Sequence, residues 1–152
     1  MRTGKSLFLR KNPMSKTDKE KSIPALSIKS LASQVPEFDL PATIVRQDGS
    51  KVEITLRARA MRKSEWIAMR DEHLQALRDT GKPDEDEFSF ARLVNERSSD
   101  AAALVCKGVA GWSLQEEFTA ANLLAAEDVA PGAINAFLSA YDAALFHGRV
   151  GN

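Results

Sequence analysis

The sequence is short of the residues that carry most enzyme chemistry. It holds one cysteine and two histidines in 152 residues. Cys106 alone cannot close an internal disulfide, so a reducing compartment fits best. His73 and His147 stand far apart, and neither has metal-ligand spacing to the cysteine or to the other histidine. There is no glycine-rich phosphate loop, neither G-x-x-x-x-G-K-S/T nor G-x-G-x-x-G. The acidic run DEDE at 84–87 lacks the loop glycine and spaced ligands of an EF-hand. No apolar run approaches the roughly 18 residues of a membrane helix. The opening, MRTGKSLFLRKNP, is basic but has no longer apolar stretch and no small-residue cleavage site, so it is not a secretion signal. These absences leave no catalytic residue, no cofactor-binding residue and no metal ligand to assign.

What is present suits one ordinary globular domain. Hydrophobic residues make up 43% and charged residues 28%, enough for a single modest core. The formal net charge is zero but unevenly spread. Residues 1–30 hold eight basic and two acidic side chains, a net of +6, so the remainder carries −6. Residues 1–24 read as a flexible basic leader without periodicity. Phe8 is the single aromatic side chain among its basic residues, too few to stack successive bases, which disfavours nucleic acid as a partner. Met14 is a second candidate start, with residues 1–13 as an upstream extension.

Residues 25–152 read as a single α+β domain: an N-terminal β-hairpin or small antiparallel sheet, then an irregular helical bundle. The hairpin spans about 42–58. Ile44 and Val45 precede Asp48-Gly49, and Val52, Ile54 and Leu56 follow with period two. Lys51, Glu53, Thr55 and Arg57 take the wet face. One hairpin is marginal alone. It must lie on helices, pair with LSIKSL as a third strand, or pair with another subunit. Helices are expected over about 64–80, 87–108, 119–126 and 131–147. Trp66, Ile67, Leu74 and Leu77, with Met69 at the border, form the apolar side of the first. Gly81 and Pro83 end it. Phe90, Leu93, Val94, Ala101, Leu104 and Val105 form the stripe of the second, with a break expected at Ser98–Asp100. Gly108 and Gly111 relieve the backbone where that helix stops. Thr119 caps the third, and Pro131 fits the first turn of the fourth. The last stripe is Ile134, Phe137, Leu138, Tyr141 and Leu145.

Three features admit both a site and a structural reading. Trp66 and Trp112 suit interface anchors, and equally suit core plugs. Arg57, Arg59 and Arg62 suit a stripe for an acidic partner, and equally a solvated strand face. Cys106, on an apolar helical stripe, reads as an inert small hydrophobe, against a nucleophile paired with His73 or His147.

The order of elements from residue 93 to the end resembles the tail assembly chaperones of long-tailed phages and prophages. The residues that carry the likeness are V-A-G-W at 109–112, F-T-A-A-N-L at 118–123, Asp128 and Pro131, the helix AINAFLSAY, and the ending GRVGN. The upstream hairpin followed by KSEW is similar to members with an N-terminal β element. The linker between Trp112 and Phe118 is short for the family. The resemblance implies a non-enzymatic cytoplasmic protein of the bacterial host cell. It would bind the tape measure protein, assist assembly of the tail tube protein, and use no cofactor. It leaves self-association open and predicts no membrane contact. Candidate partner-binding residues are Trp66, Met69, Phe88, Trp112, Phe146 and Val150. The competing readings are a tail connector or completion protein that adds strands to a ring, a cysteine-dependent enzyme, and a DNA-binding regulator.

Overall fold

The computed structural model describes residues 22–80 and 89–148. The expected leader (but for Ser22–Pro24), the acidic run at 84–87 and the ending after Gly148 lie outside the described residues. The chain falls into two units that divide between Gln34 and Val35. In the first, Ile28–Leu31 form one 3-10 turn. Ser30 braces it: its hydroxyl donates to the Ser27 carbonyl (2.6 Å) and accepts from the Ser27 N–H (3.2 Å). LSIKSL is therefore not the third strand of the sheet.

The second unit opens with β1 (Glu37–Val45) and β2 (Lys51–Arg59), antiparallel, with Glu37 opposite Arg59 and Val45 opposite Lys51. The turn between them closes at Asp48-Gly49. Gly49 has φ +89° and donates to the Arg46 carbonyl (2.9 Å). Only glycine adopts that conformation without strain. The Asp48 carboxylate accepts from the hydroxyl (2.5 Å) and the N–H (2.9 Å) of Ser50, and these bonds hold it below the usual carboxylate range. Side chains alternate as the period of two requires. Leu40, Ala42, Ile44, Ile54, Leu56 and Ala58 are buried, while Lys51, Glu53, Thr55 and Arg57 are exposed.

The third strand is β3, Val109–Trp112, antiparallel to β2 in the order β1-β2-β3. Its register slips between Arg57 and Ala58, a bulge that shortens the pairing. Just past the strand, the Ser113 hydroxyl takes over the ladder, accepting the Thr55 N–H at 3.0 Å. The other edge, β1, is blunted by Pro41. Arg46 donates to Ser50 and Ala60 donates to Pro36 (both 2.8 Å). The even-numbered residues therefore bond β2, and Pro41 turns its nitrogen to the free edge. A proline there costs the ladder nothing and withholds a donor from any added strand.

Four helices follow: α1 (Lys63–Thr80), α2 (Phe90–Gly108), α3 (Ala120–Val129) and α4 (Ala133–Phe146). The fold is α+β, a small antiparallel sheet joined to an irregular helical bundle. Polar side chains start the helices. Ser89 accepts from the Arg92 N–H at the head of α2, and Thr119 from the Asn122 N–H at the head of α3. Glu65 reaches back to the Arg62 N–H at the head of α1 (2.7 Å). These bonds satisfy backbone donors that have no partner inside the helix. α4 departs from expectation. Pro131 precedes the helix rather than entering it, Gly132 caps it with φ +98°, and the Glu127 carboxylate accepts from Gly132 and Ile134 N–H (both 2.9 Å). α2 runs unbroken through Ser98–Asp100. A helix tolerates those three polar residues where they face solvent or partly so.

The core joins the inner face of the sheet to α4 and to the C-terminal half of α2. Leu56, Trp66, Val105, Leu123, Phe137 and Tyr141 are essentially inaccessible. The α4 stripe lies as expected, with Ile134, Phe137, Leu138 and Tyr141 buried and Leu145 partly so. The stripes of α1 and α2 do not. Ile67 and Leu74 are exposed, and so are Phe90 and Val94. The buried face of α1 is narrower, built on Trp66 with Met69, His73, Ala76 and Leu77 partly covered.

Tyr141 ties the layers together. Its hydroxyl donates to the Arg59 carbonyl at 2.6 Å, and burial pushes its pKa up to about 12, against the opposing pull of Arg59. Tyr141 is the only tyrosine in the chain, so an absorbance titration reads it alone. The phenol should ionise near pH 12 in the fold, against a reference of 10.0. The folded pKa is the higher one. The stability it supplies is therefore intact below pH 10 and lost as pH rises from about 10 toward 12. Tyr141→Phe should abolish that alkaline loss. A folded-state midpoint at the reference value would refute this assignment.

Candidate functional site

Trp66 is held on every side. Its ring packs edge-on against Tyr141 (centroids 4.7 Å apart), and its Nε1 donates to the Asp142 carboxylate at 2.6 Å. The other Asp142 oxygen accepts from Arg70 at 3.0 Å. α1 and α4 are thereby clamped by one carboxylate. With 0% exposure, Trp66 has no ring surface to offer a partner in this fold. Its candidacy as an interface anchor gives way to that of a core plug.

The three arginines go to separate tasks. Arg57 pairs with Glu37 across the sheet at 3.7 Å, an exposed contact of small energetic weight. Arg59 donates to the carbonyls of Cys106 (2.5 Å), Lys107 (3.2 Å) and Val109 (3.2 Å). It satisfies carbonyls that the end of α2 leaves open, where a cation also meets the negative end of the helix dipole. Arg62 opens α1. All three side chains are exposed, but Arg57 and Arg59 are engaged by Glu37 and by the end of α2, so they do not form a free cationic stripe. Cys106 sits on the inner side of the same helix end, partly buried. Burial pushes its thiol up, with Arg59 pulling the other way. A thiol held protonated is a poor nucleophile. Among the described residues, no group of His, Cys, Asp and Glu could hold a metal ion.

Among the described residues, two grooves offer surfaces with shape beyond the small cleft at Met69. The larger, about 410 Å³, lies between α1, α2 and α4. Leu77, Ala101, Ile134 and Leu138 line it with Leu74, and Arg70, His73 and Arg97 stand among them. Phe90 and Val94 continue the Arg97–Ala101 face of α2 at helical spacing. They are 75% and 39% exposed, so the groove runs on into an apolar ridge. Desolvation first, then Arg70, holds the His73 pKa below its ordinary value, while Asp100 opposes them. Asp100 itself keeps one carboxylate oxygen buried without a hydrogen-bond partner among the described residues.

The smaller groove, about 270 Å³, is lined by Trp112, Leu114, Glu116, Asn122, Ala125, Ala126 and Val129. Trp112 is half-buried. Its Nε1 donates to the Glu116 carbonyl (2.7 Å), and its ring meets Phe118 and Phe137 edge-on at 5.2 and 6.3 Å. One part of the ring closes the core and another forms the groove wall. Asn122 fixes the same turn by donating to the Glu117 carbonyl (2.7 Å). The segment GWSLQEEFTAAN is thus a closed structural unit with a groove on its outer side.

The other candidate residues scatter. Met69 lines a small cleft between α1 and α2 with Asp100 and Lys107. Phe146 packs partly buried at the end of α4, with the Lys63 ammonium 5.8 Å from its ring centre. Phe88 and Val150 lie outside the described residues. Periodicity assigns Leu74, Phe90 and Val94 to inward faces, and Leu114 and Val129 carry no periodic signal, so of the described candidate residues only Trp112 lines either groove. Among the described residues no single helix is long and apolar enough to cross a membrane.

Comparison with curated proteins and with solved structures finds no match. A family model described as "Phage tail assembly chaperone" matches residues 26–152. That span takes in the sheet, all four helices and both grooves, and on it the chain belongs to the phage tail assembly chaperone family.

Proposed function

We propose that this protein is a non-enzymatic assembly chaperone that binds the tape measure protein of its phage and assists assembly of the tail tube in the host cytoplasm. The observation that carries this reading is the groove between α1, α2 and α4, with Leu74 in its lining and the exposed Val94 and Phe90 farther along the same face of α2. A long helix with an apolar seam cannot bury that seam alone. A groove of this kind covers it by helix-in-groove contacts. Its contacts are dispersed and shallow, which suits a coat that tube subunits later displace. Pro41 on the free edge of β1 works against the connector alternative, which needs strand addition.

The test is co-expression with the tape measure protein of the same phage and recovery through a tag on either partner. Leu74→Glu and Val94→Glu, at exposed positions, should leave the fold stable within about 0.5 kcal/mol. Each should weaken recovery by roughly tenfold or more, because a carboxylate would have to be desolvated in the contact. Absence of co-purification with both proteins well expressed would overturn the reading. So would presence of the chain in finished tails under electron microscopy.

A further inference from the structure

The described part of the first unit carries exposed apolar surface. Ile23, Leu26, Ile28 and Leu31 are 88%, 94%, 86% and 72% exposed. Ile28 and Leu31, three apart on a 3-10 turn, project from the same side. The Ser27–Ser30 bonds set that turn in advance, which lowers the entropy lost on docking. The arm is cationic: between Lys21 and Glu37 its only charged residue is Lys29, and residues 1–30 as a whole carry +6. The family match begins at residue 26, so most of this apolar arm belongs to the family's own span.

The small groove beside Trp112 is its complement in both respects. Its wall is apolar, with Leu114 37% and Val129 80% exposed and Ala125 and Ala126 leaving room between them. The stretch of chain that builds it is anionic, although Arg57 of β2 pairs opposite Gly111 at its Trp112 end. Between Lys107 and His147 the sequence holds Glu116, Glu117, Glu127, Asp128 and Asp142 and no lysine or arginine. Glu127 is spent on the head of α4 and Asp142 on Trp66 and Arg70. Glu116 lines the groove, and Glu117 and Asp128 adjoin residues that line it.

We infer that the arm Ile23–Leu31 of one copy docks in the Trp112–Val129 groove of a second copy. An apolar segment bearing Lys29 and an apolar groove flanked by Glu116, Glu117 and Asp128 on the same chain make a self-complementary pair. Such a contact joins two different surfaces, so it closes a swapped dimer or propagates head to tail.

The test is sedimentation of the full chain at several concentrations and salt strengths, with no tail protein present, so its outcome is independent of the proposed role. The wild type should self-associate, and less so as salt rises. Ile28→Glu on the arm and Val129→Glu in the groove should each weaken association roughly tenfold or more. Both positions are exposed, and far-ultraviolet circular dichroism checks that each variant folds. The decisive arm is the mixture. The Ile28→Glu protein keeps a sound groove and the Val129→Glu protein a sound arm, so mixing them should restore a heterodimer that neither forms alone. A wild type monomeric at all concentrations, a variant that associates like wild type, or a mixture that stays monomeric would each overturn the inference.

Discussion

Trp66→Ala should lower the unfolding free energy by about 3–5 kcal/mol, the usual cost of deleting a large buried ring. For a chain of this size that is a fall in Tm on the order of 10 °C. Two losses combine. The ring is wholly buried against Tyr141, so its removal leaves a cavity between α1 and α4. The Asp142 carboxylate also loses the 2.6 Å bond from Nε1 and keeps only Arg70. Trp66→Phe separates the two, since it retains most of the ring and removes the donor. It should cost about 1.5–3 kcal/mol, the range for a hydrogen bond to a charged group. Urea titrations of the two variants measure the difference. A cost below about 1 kcal/mol for the alanine variant would mean that the ring is not the clamp described.

Trp66 also shows what could be read without coordinates. Its place on an apolar helical face marked it as core or anchor, and only the position of Asp142 on another helix decided between them. The same holds across the fold. The hairpin was legible because Asp48-Gly49 and the alternation about it are local signals. So were the Thr119 cap and the α4 stripe, where five apolar residues recur at helical spacing. β3 was not legible. VAGW is four residues long, contains a glycine, and forms a strand only because β2 is there to pair with it; nothing within four residues records that. Arg59 is similar, since its role depends on the end of a helix that lies some fifty positions later in the chain.

The surface grooves were hidden for a different reason. Periodicity says that Ile67, Leu74, Phe90 and Val94 share faces with buried residues, and the natural step is to bury them too. A small sheet and four helices have only so much inward surface. α4 and the C-terminal half of α2 fill it, and Phe90 and Val94 at the head of α2, with Ile67 and Leu74 on the outer side of α1, are left outside. Which part of a stripe goes unburied is a property of the assembled packing, whereas the stripe itself is a property of the sequence. Leu114 and Val129 stand in a turn and at a helix end, where no period applies.

Gly108 yields the second large effect, and it reverses the role that its position suggests. A glycine where a helix stops is usually there to adopt positive φ. Gly108 instead lies within α2 as its last residue, it is not among the positive-φ glycines, and the cap residue Val109 is extended (φ −121°, ψ 134°). What requires glycine is Tyr141. A Cβ at position 108 would lie 3.0 Å from Cε2 and 3.2 Å from both Cδ2 and Cζ of that ring. The ring has little room to retreat, being pinned through its hydroxyl to the Arg59 carbonyl and wedged against Trp66. Gly108→Val, with two further methyl groups beyond the Cβ, should destabilise the protein by about 3 kcal/mol, at the upper end of typical overpacking costs. Gly108→Ala should destabilise it less, because the gain of roughly 1 kcal/mol in helix propensity offsets part of the clash. The double variant Gly108→Val with Tyr141→Ala supplies the control. If the ring is the obstacle, opening that space lets the valine in, and the combined loss should fall below the sum of the single losses by about 1–3 kcal/mol. Strict additivity in urea titrations would show that position 108 is constrained by its backbone and not by the tyrosine.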